Sequence, residues 1–160
     1  MLTVFATPCS NKEKAMENLI ISACLLGVSC RYDGKSKPLP EMEKLMEKYN
    51  LIPVCAEIMG GLPTPRVPAE IISGKVINRE GRDVTAEYCK GAEEVLRLAK
   101  LFGCKKALLK ERSPSCGSGI IHNGKFDGGL VPGFGKTAAL LLENGIELFG
   151  ETQLDILLEK

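Results

Sequence analysis

Tryptophan is absent from this chain of 160 residues, and aromatic residues make up only 5% of it. Stacking platforms of the kind that bind single-stranded nucleic acid therefore lack their material. Charge of one sign is lacking too. The formal net charge is +1, so no general basic surface draws in a phosphate backbone. No apolar stretch approaches the roughly 18 residues that a membrane-spanning helix needs. The opening Met1-Leu2-Thr3-Val4-Phe5-Ala6-Thr7-Pro8 has neither the positive start nor the long apolar stretch of a secretory signal, which predicts a cytoplasmic location. With a single histidine, His122, beside a turn, a triad or a histidine-rich zinc site is not expected.

Cysteine is what the chain does have. Seven occur, at positions 9, 24, 30, 55, 89, 104 and 116. An odd, dispersed set without an export signal reads as free thiols rather than a disulfide framework. Three share a setting: Cys24, Cys55 and Cys116 each lie just past a short apolar run, at the mouth of a turn rich in glycine, proline or serine. The runs are Ile20-Ile21-Ser22-Ala23, Leu51-Ile52-Pro53-Val54 and Ala107-Leu108-Leu109. If they are parallel strands, the three sulfurs gather at the carboxyl edge of one sheet, where open α/β sheets place their ligands.

The periodicity supports that arrangement. Strands are predicted at about 19–24, 51–55, 105–110 and 146–149. A short helix follows Pro40, a long one runs from a capping Thr85 to Gly103, and a third spans Lys136–Asn144. Two hairpins interrupt the alternation. One turns at Ser73-Gly74 between residues 69–72 and 75–78; the other turns at Asn123-Gly124, a favoured two-residue pair. The expected fold is a single three-layer α/β domain over residues 19–160. Its mostly parallel sheet carries helices on both faces and two inserted β-hairpins. Residues 1–18 read as an unassigned extension.

Three thiolates leave one metal coordination position open. Zinc with a water in that position is one option, and a 4Fe–4S cluster with one protein-free iron is another. Ligand type alone does not choose between them.

Several ordered motifs do. Ser22-Ala23-Cys24-Leu25-Leu26-Gly27, Arg31-Tyr32-Asp33-Gly34, Pro53-Val54-Cys55-Ala56-Glu57, Gly60-Gly61-Leu62-Pro63-Thr64-Pro65-Arg66 and Ser113-Pro114-Ser115-Cys116-Gly117 follow one another along the chain. Thr137-Ala138-Ala139-Leu140-Leu141 and Asn144-Gly145-Ile146 complete the series. The sequence resembles the thiouracil desulfidase family over residues 19–150. That resemblance implies a 4Fe–4S cluster held by Cys24, Cys55 and Cys116, and hydrolytic removal of sulfur from a thiolated uracil-type base at the open iron. It also implies assistance by a carboxylate and a serine, here Glu57 and Ser113, with Ser115 as the rival serine. Alternatives are a zinc-dependent hydrolase on the same cysteines, and a non-catalytic iron–sulfur sensor or sulfide carrier. The partner expected is a small thio-nucleobase; the near-neutral charge gives less support to a thiolated tRNA nucleoside.

Two departures stand out. Ala56 occupies a position where the family usually has proline, which predicts a looser loop. Cys30 stands where an apolar residue is common, and could be a fourth ligand closing the site. Asp33 and Arg31 could reach a polar base edge, or Asp33 could simply bond its own turn. Arg66 could pair with Glu57 or meet an anionic substrate. Gly133-Phe134-Gly135-Lys136-Thr137 evokes a phosphate loop, but the required first glycine falls at Leu130, so only a helix N-terminus remains as an anion site. Cys89 and Cys104 read as surface or core thiols, and Cys9 is given no role.

Overall fold

The structure, a computed structural model, describes residues 14–159. From the amino end come β1 (Glu17–Ser22), α1 (Met42–Lys48), β2 (Tyr49–Val54), α2 (Ala56–Met59), β3 (Ala69–Ile72) and β4 (Lys75–Asn78). Then follow α3 (Thr85–Leu101), β5 (Lys106–Leu109), β6 (Ser118–His122), β7 (Leu130–Phe134), α4 (Lys136–Glu143), β8 (Glu147–Gly150) and α5 (Leu154–Glu159).

Four parallel strands make the central sheet, in the order β2-β1-β5-β8. Its middle strands are apolar on both faces, as a covered parallel sheet requires. Leu19, Ile20 and Ile21 of β1, and Ala107, Leu108 and Leu109 of β5, are fully buried. Strand alternation deals these residues to two cores. Leu19, Ile21 and Leu108 pack with Leu45 of α1 and Leu154 and Leu157 of α5. Ile20, Ala107 and Leu109 pack on the opposite face with Val95 and Ala99 of α3 and Ala138 and Leu141 of α4. Pro53 cannot donate to a ladder, and it sits in β2, an edge strand that tolerates it.

The chain lays β2 on one side of β1 and β5 on the other. The order of the strands reverses there, and connections leave a crevice beyond the carboxyl ends of β1 and β5. The strand ends carry the cysteines to that crevice.

Both inserted hairpins form, as β3–β4 and β6–β7. The first turns as expected, with Ser73 at φ 50° and Gly74 at φ 79°. The second differs from expectation. Its strands are joined by the seven residues 123–129, not by a two-residue turn at Asn123-Gly124. Side-chain bonding overrides the dipeptide preference: Asn123 Oδ1 accepts from the Lys125 amide, and its Nδ2 donates to Asp127. Thr85 is the first helical residue of α3, not its cap; its Oγ1 accepts the Val76 amide and so ties α3 to β4. α2 was not expected at all, because a four-residue helix carries too little periodicity to read. β1 begins at Glu17, inside the expected extension, whose residues 1–13, Cys9 among them, lie outside the described residues. Among the described residues no helix is long and apolar enough to cross a membrane.

Candidate functional site

Each of the three cysteines is delivered by different local structure. β1 runs into a tight 3-10 turn, Ala23–Leu26, that ends on Gly27 at φ 95°. Cys24 sits in that turn, and its carbonyl accepts the Lys37 amide at 2.9 Å, drawing the loop 27–40 back over it. Cys55 is the extended residue between β2 and α2. Cys116 ends a loop that leaves β5 and is folded around one serine. Ser113 Oγ accepts the backbone N–H of Ser115 at 3.0 Å and of Cys116 at 3.1 Å.

That last loop is docked on the start of α4. The amides of Lys136, Thr137 and Ala138 donate to the carbonyls of Pro114 and Ser115, and the Gly135 amide donates to Gly117. These are the donors that a helix N-terminus would offer an anion, and here they hold the cysteine loop instead. The glycine-rich stretch before Thr137 serves the same contact: a Cβ on Gly135 would fall 2.4 Å from the Ser115 carbonyl. The anion-site reading of this helix is thereby replaced by a buttressing role.

Cys24, Cys55 and Cys116 line one cleft of about 420 Å³, together with Cys30, Glu57, Arg66, Ser113 and Tyr88. The sulfurs feel one another. Burial is the main cause that pushes Cys24 up to about 11 and Cys116 up to about 12; neighbouring cysteines push the same way. Lys110, at the cleft wall, acts against the rise at Cys24, and the Ser22 hydroxyl does so at Cys116 by hydrogen bonding. Ser22 Oγ also accepts the Lys110 amide at 2.9 Å, so one hydroxyl braces β1, β5 and a cysteine. Cys30 is buried beside Cys55 and Cys24, its thiol pushed up to about 12 by burial first and by those two sulfurs next. No group of three Cys, His, Asp or Glu side chains among the described residues is placed to hold a single metal ion.

Glu57 lies on the first turn of α2 and faces Arg66, whose Nε is 2.5 Å from Oε2. The rest of the guanidinium is committed too. One Nη donates to the Cys30 carbonyl at 2.9 Å, the other to Pro63 O and Thr64 Oγ1. Of the two roles open to Arg66, the structure shows the pairing with Glu57. The Tyr88 hydroxyl of α3, buried and with its titration raised by burial and by Glu57, hydrogen-bonds the same carboxylate. Tyr88 and Ser22 went unnoticed in the sequence as site residues because nothing local marks them; only the packing of α3 on α2 and the pairing of β1 with β5 bring them in.

The remaining candidates separate. Ser115 is buried, and its hydroxyl shares a 2.9 Å hydrogen bond with Thr137. Asp33 takes the turn reading: its Oδ1 accepts the Lys35 amide, and it is not among the residues lining the cleft, although Arg31 is. The looseness expected at Ala56 is not seen. Ala56 is buried on α3, where Gly91 has no side chain to keep it away, and this contact fixes α2. Cys89 is exposed on α3, whereas Cys104 packs in the core.

A profile of the family described as 2-thiouracil desulfurase matches residues 19–153. The chain belongs to that family. Among solved structures, the 4Fe-4S-dependent thiouracil desulfidase TudS is 50% identical, with a TM-score of 0.84, over 88% of this chain and 95% of its own. The uncharacterized protein YbbK of Bacillus subtilis (strain 168) is 40% identical over 150 residues, which is 88% of this chain and 99% of YbbK. Both similarities take in most of the chain, as the family match does with the sheet, the hairpins and the cleft.

Proposed function

We propose that this member of the 2-thiouracil desulfurase family is an enzyme that removes sulfur from a thiolated uracil-type base by hydrolysis. It would do so with a 4Fe–4S cluster held by Cys24, Cys55 and Cys116. The observation that carries the reading is the arrival of three cysteines from three strand ends in one cleft, with a carboxylate and a serine beside them. The donor set fits the group. It is all sulfur, the donor type that such clusters take, and three thiols would leave one iron without a protein ligand. When bound, such a cluster supplies a thiophilic Lewis acid for the substrate's sulfur.

The chain's own residues account for the remaining chemistry. Exchange of C=S for C=O consumes water and releases hydrogen sulfide, so both protons must leave the water and both must reach the sulfur. Glu57, a carboxylate paired with Arg66, would take these protons in turn and return them to the sulfur. Arg66 keeps it within reach by tying it to the Cys30 carbonyl and the Pro63–Thr64 turn. Ser113 Oγ already accepts two amides, so its hydroxyl hydrogen is what it offers to the cleft, as a donor to the base or to the departing sulfur. Residues of both hairpins, Glu70 and His122 among them, contribute to the cleft wall.

The test is anaerobic reconstitution with iron and sulfide counts, followed by incubation with 2-thiouracil and no added reductant. Uracil and hydrogen sulfide should appear in equal amounts. Zinc without iron or labile sulfide removes the cluster, and a loaded protein inert toward thiouracils removes the enzymatic reading. A stoichiometric need for electrons removes the hydrolytic one.

A further inference from the structure

The seven-residue loop between β6 and β7 gives Phe126 and Gly128 to the cleft wall and is tied down by hydrogen bonds. Asp127 accepts the Gly129 amide and the Asn123 side chain, each at 2.8 Å. Glu70, buried in β3, accepts the Gly124 amide at 3.2 Å. Gly124 itself is pressed onto β3 so closely that a Cβ there would fall 2.8 Å from the Ile71 carbonyl. Hairpin and loop thus form one roof.

At the centre of that loop stands Phe126, with φ 55°. This left-handed conformation strains a bulky residue and suits glycine or asparagine. The loop has three glycines, Gly124, Gly128 and Gly129, yet the strained position is given to a phenylalanine. Phe126 lines the cleft, half-buried, and the Arg79 guanidinium lies over its ring at 5.5 Å from the centroid. A cation on one face of a ring steadies it and leaves the other face for a second planar group. A flat heterocycle is such a group, because offset stacking on an aromatic face is favourable whatever the polar edge of the base.

From this we infer that Phe126 is the stacking platform that positions the substrate's planar ring under the β6–β7 roof. The inference rests on the proposed desulfidase reading and deepens it: it names the residue that touches the base away from the sulfur. It also predicts the substrate class, a flat conjugated thio-heterocycle, over a non-planar thioamide of equal size.

The experiment compares Phe126→Leu and Phe126→Tyr with the parent, all cluster-loaded. It measures kcat and KM for 2-thiouracil, equilibrium binding of 2-thiouracil, and iron content. Phe126→Leu keeps apolar bulk but has no aromatic face, and should raise KM and the dissociation constant about tenfold or more. Its iron content should stay near the parent's, and Phe126→Tyr should behave as the parent does. An unchanged KM and affinity in Phe126→Leu would overturn the stacking role while leaving desulfuration intact. A parent that binds thiouracil without turning it over, and loses that binding on Phe126→Leu, would sustain the stacking role while the desulfidase reading failed. Binding by neither protein would end both.

Discussion

Gly91 sits in the middle of α3, where glycine costs a helix about 1 kcal/mol relative to alanine. By propensity alone, Gly91→Ala should stabilise the protein. Packing predicts the reverse. A Cβ at Gly91 would lie 1.8 Å from the Ala56 carbonyl oxygen and 2.6 Å from its carbon, where real Cβ atoms stay beyond 3.0 Å. The atoms in the way are backbone, so no side chain can swing aside. Overpacking of this kind costs about 1–3 kcal/mol. The upper end applies here, so the net loss should be about 2 kcal/mol after the propensity gain. Relief by moving α2 shifts Ala56, the residue between Cys55 and Glu57. Displacement of about 1 Å at a reacting group is enough to cost on the order of a hundredfold in rate. Urea unfolding, iron content and thiouracil turnover measured on one preparation provide the assay, with Glu93→Ala, exposed on the same helix, as a control expected within about 0.5 kcal/mol of the parent. A Gly91→Ala protein as stable and as active as the parent would refute the claim that α3 positions the second cysteine and the carboxylate.

Serine in place of Cys24, Cys55 or Cys116 should abolish iron and sulfide retention on anaerobic reconstitution, whereas Cys89→Ser should retain both in full; retention by any of the first three removes that residue as a ligand. Glu57→Gln should keep the cluster's absorbance and lower kcat about 10²- to 10⁴-fold, so full turnover would eliminate Glu57 as the proton carrier. The Asp127 carboxyl is held below its ordinary 3.8, first by the Gly129 amide and then by Asn123. A lowered folded-state value means that its grip on the roof loop is complete above the unfolded value and fades as pH falls through the folded one. A carbon-detected titration of Asp127 should therefore show a midpoint below 3.8, and a midpoint at or above it would contradict the hydrogen bonds described.

The sheet was legible because its strands are short, apolar on both faces and bounded by glycine, proline and serine. Leu19 to Ile21 and Ala107 to Leu109 could hardly be anything else once helices of the right spacing lay between them. Cys24 and Cys55 were legible for the same reason, since each follows closely on such a run, and Cys116 through the serine- and proline-rich loop that leaves the third run. Local bonding hid the rest. Asn123-Gly124 has the composition of a tight turn, but Asn123 spends its side chain on Lys125 and Asp127, and this opens the loop to seven residues. α2 is fixed where Gly60 meets the Glu87 carbonyl of α3 and where Gly91 of α3 meets the Ala56 carbonyl, contacts distant in sequence that no periodic pattern reports. Tyr88 and Ser22 enter the site through that packing and through strand pairing. Arg66 was visible as a residue and not as a tether, because two of its four side-chain partners are backbone carbonyls.

The sulfur trio comes from the ends of three strands that are neighbours in space and far apart along the chain. No fragment of the polypeptide carries two of the three in a tight local motif, unlike a zinc finger whose ligands sit a few residues apart. Long-range parallel pairing, the slow part of assembling such a topology, therefore precedes any cofactor insertion. Iron supplied to an unfolded chain would find no local chelate among these three, and a cluster held by them would enter only a sheet that is already complete.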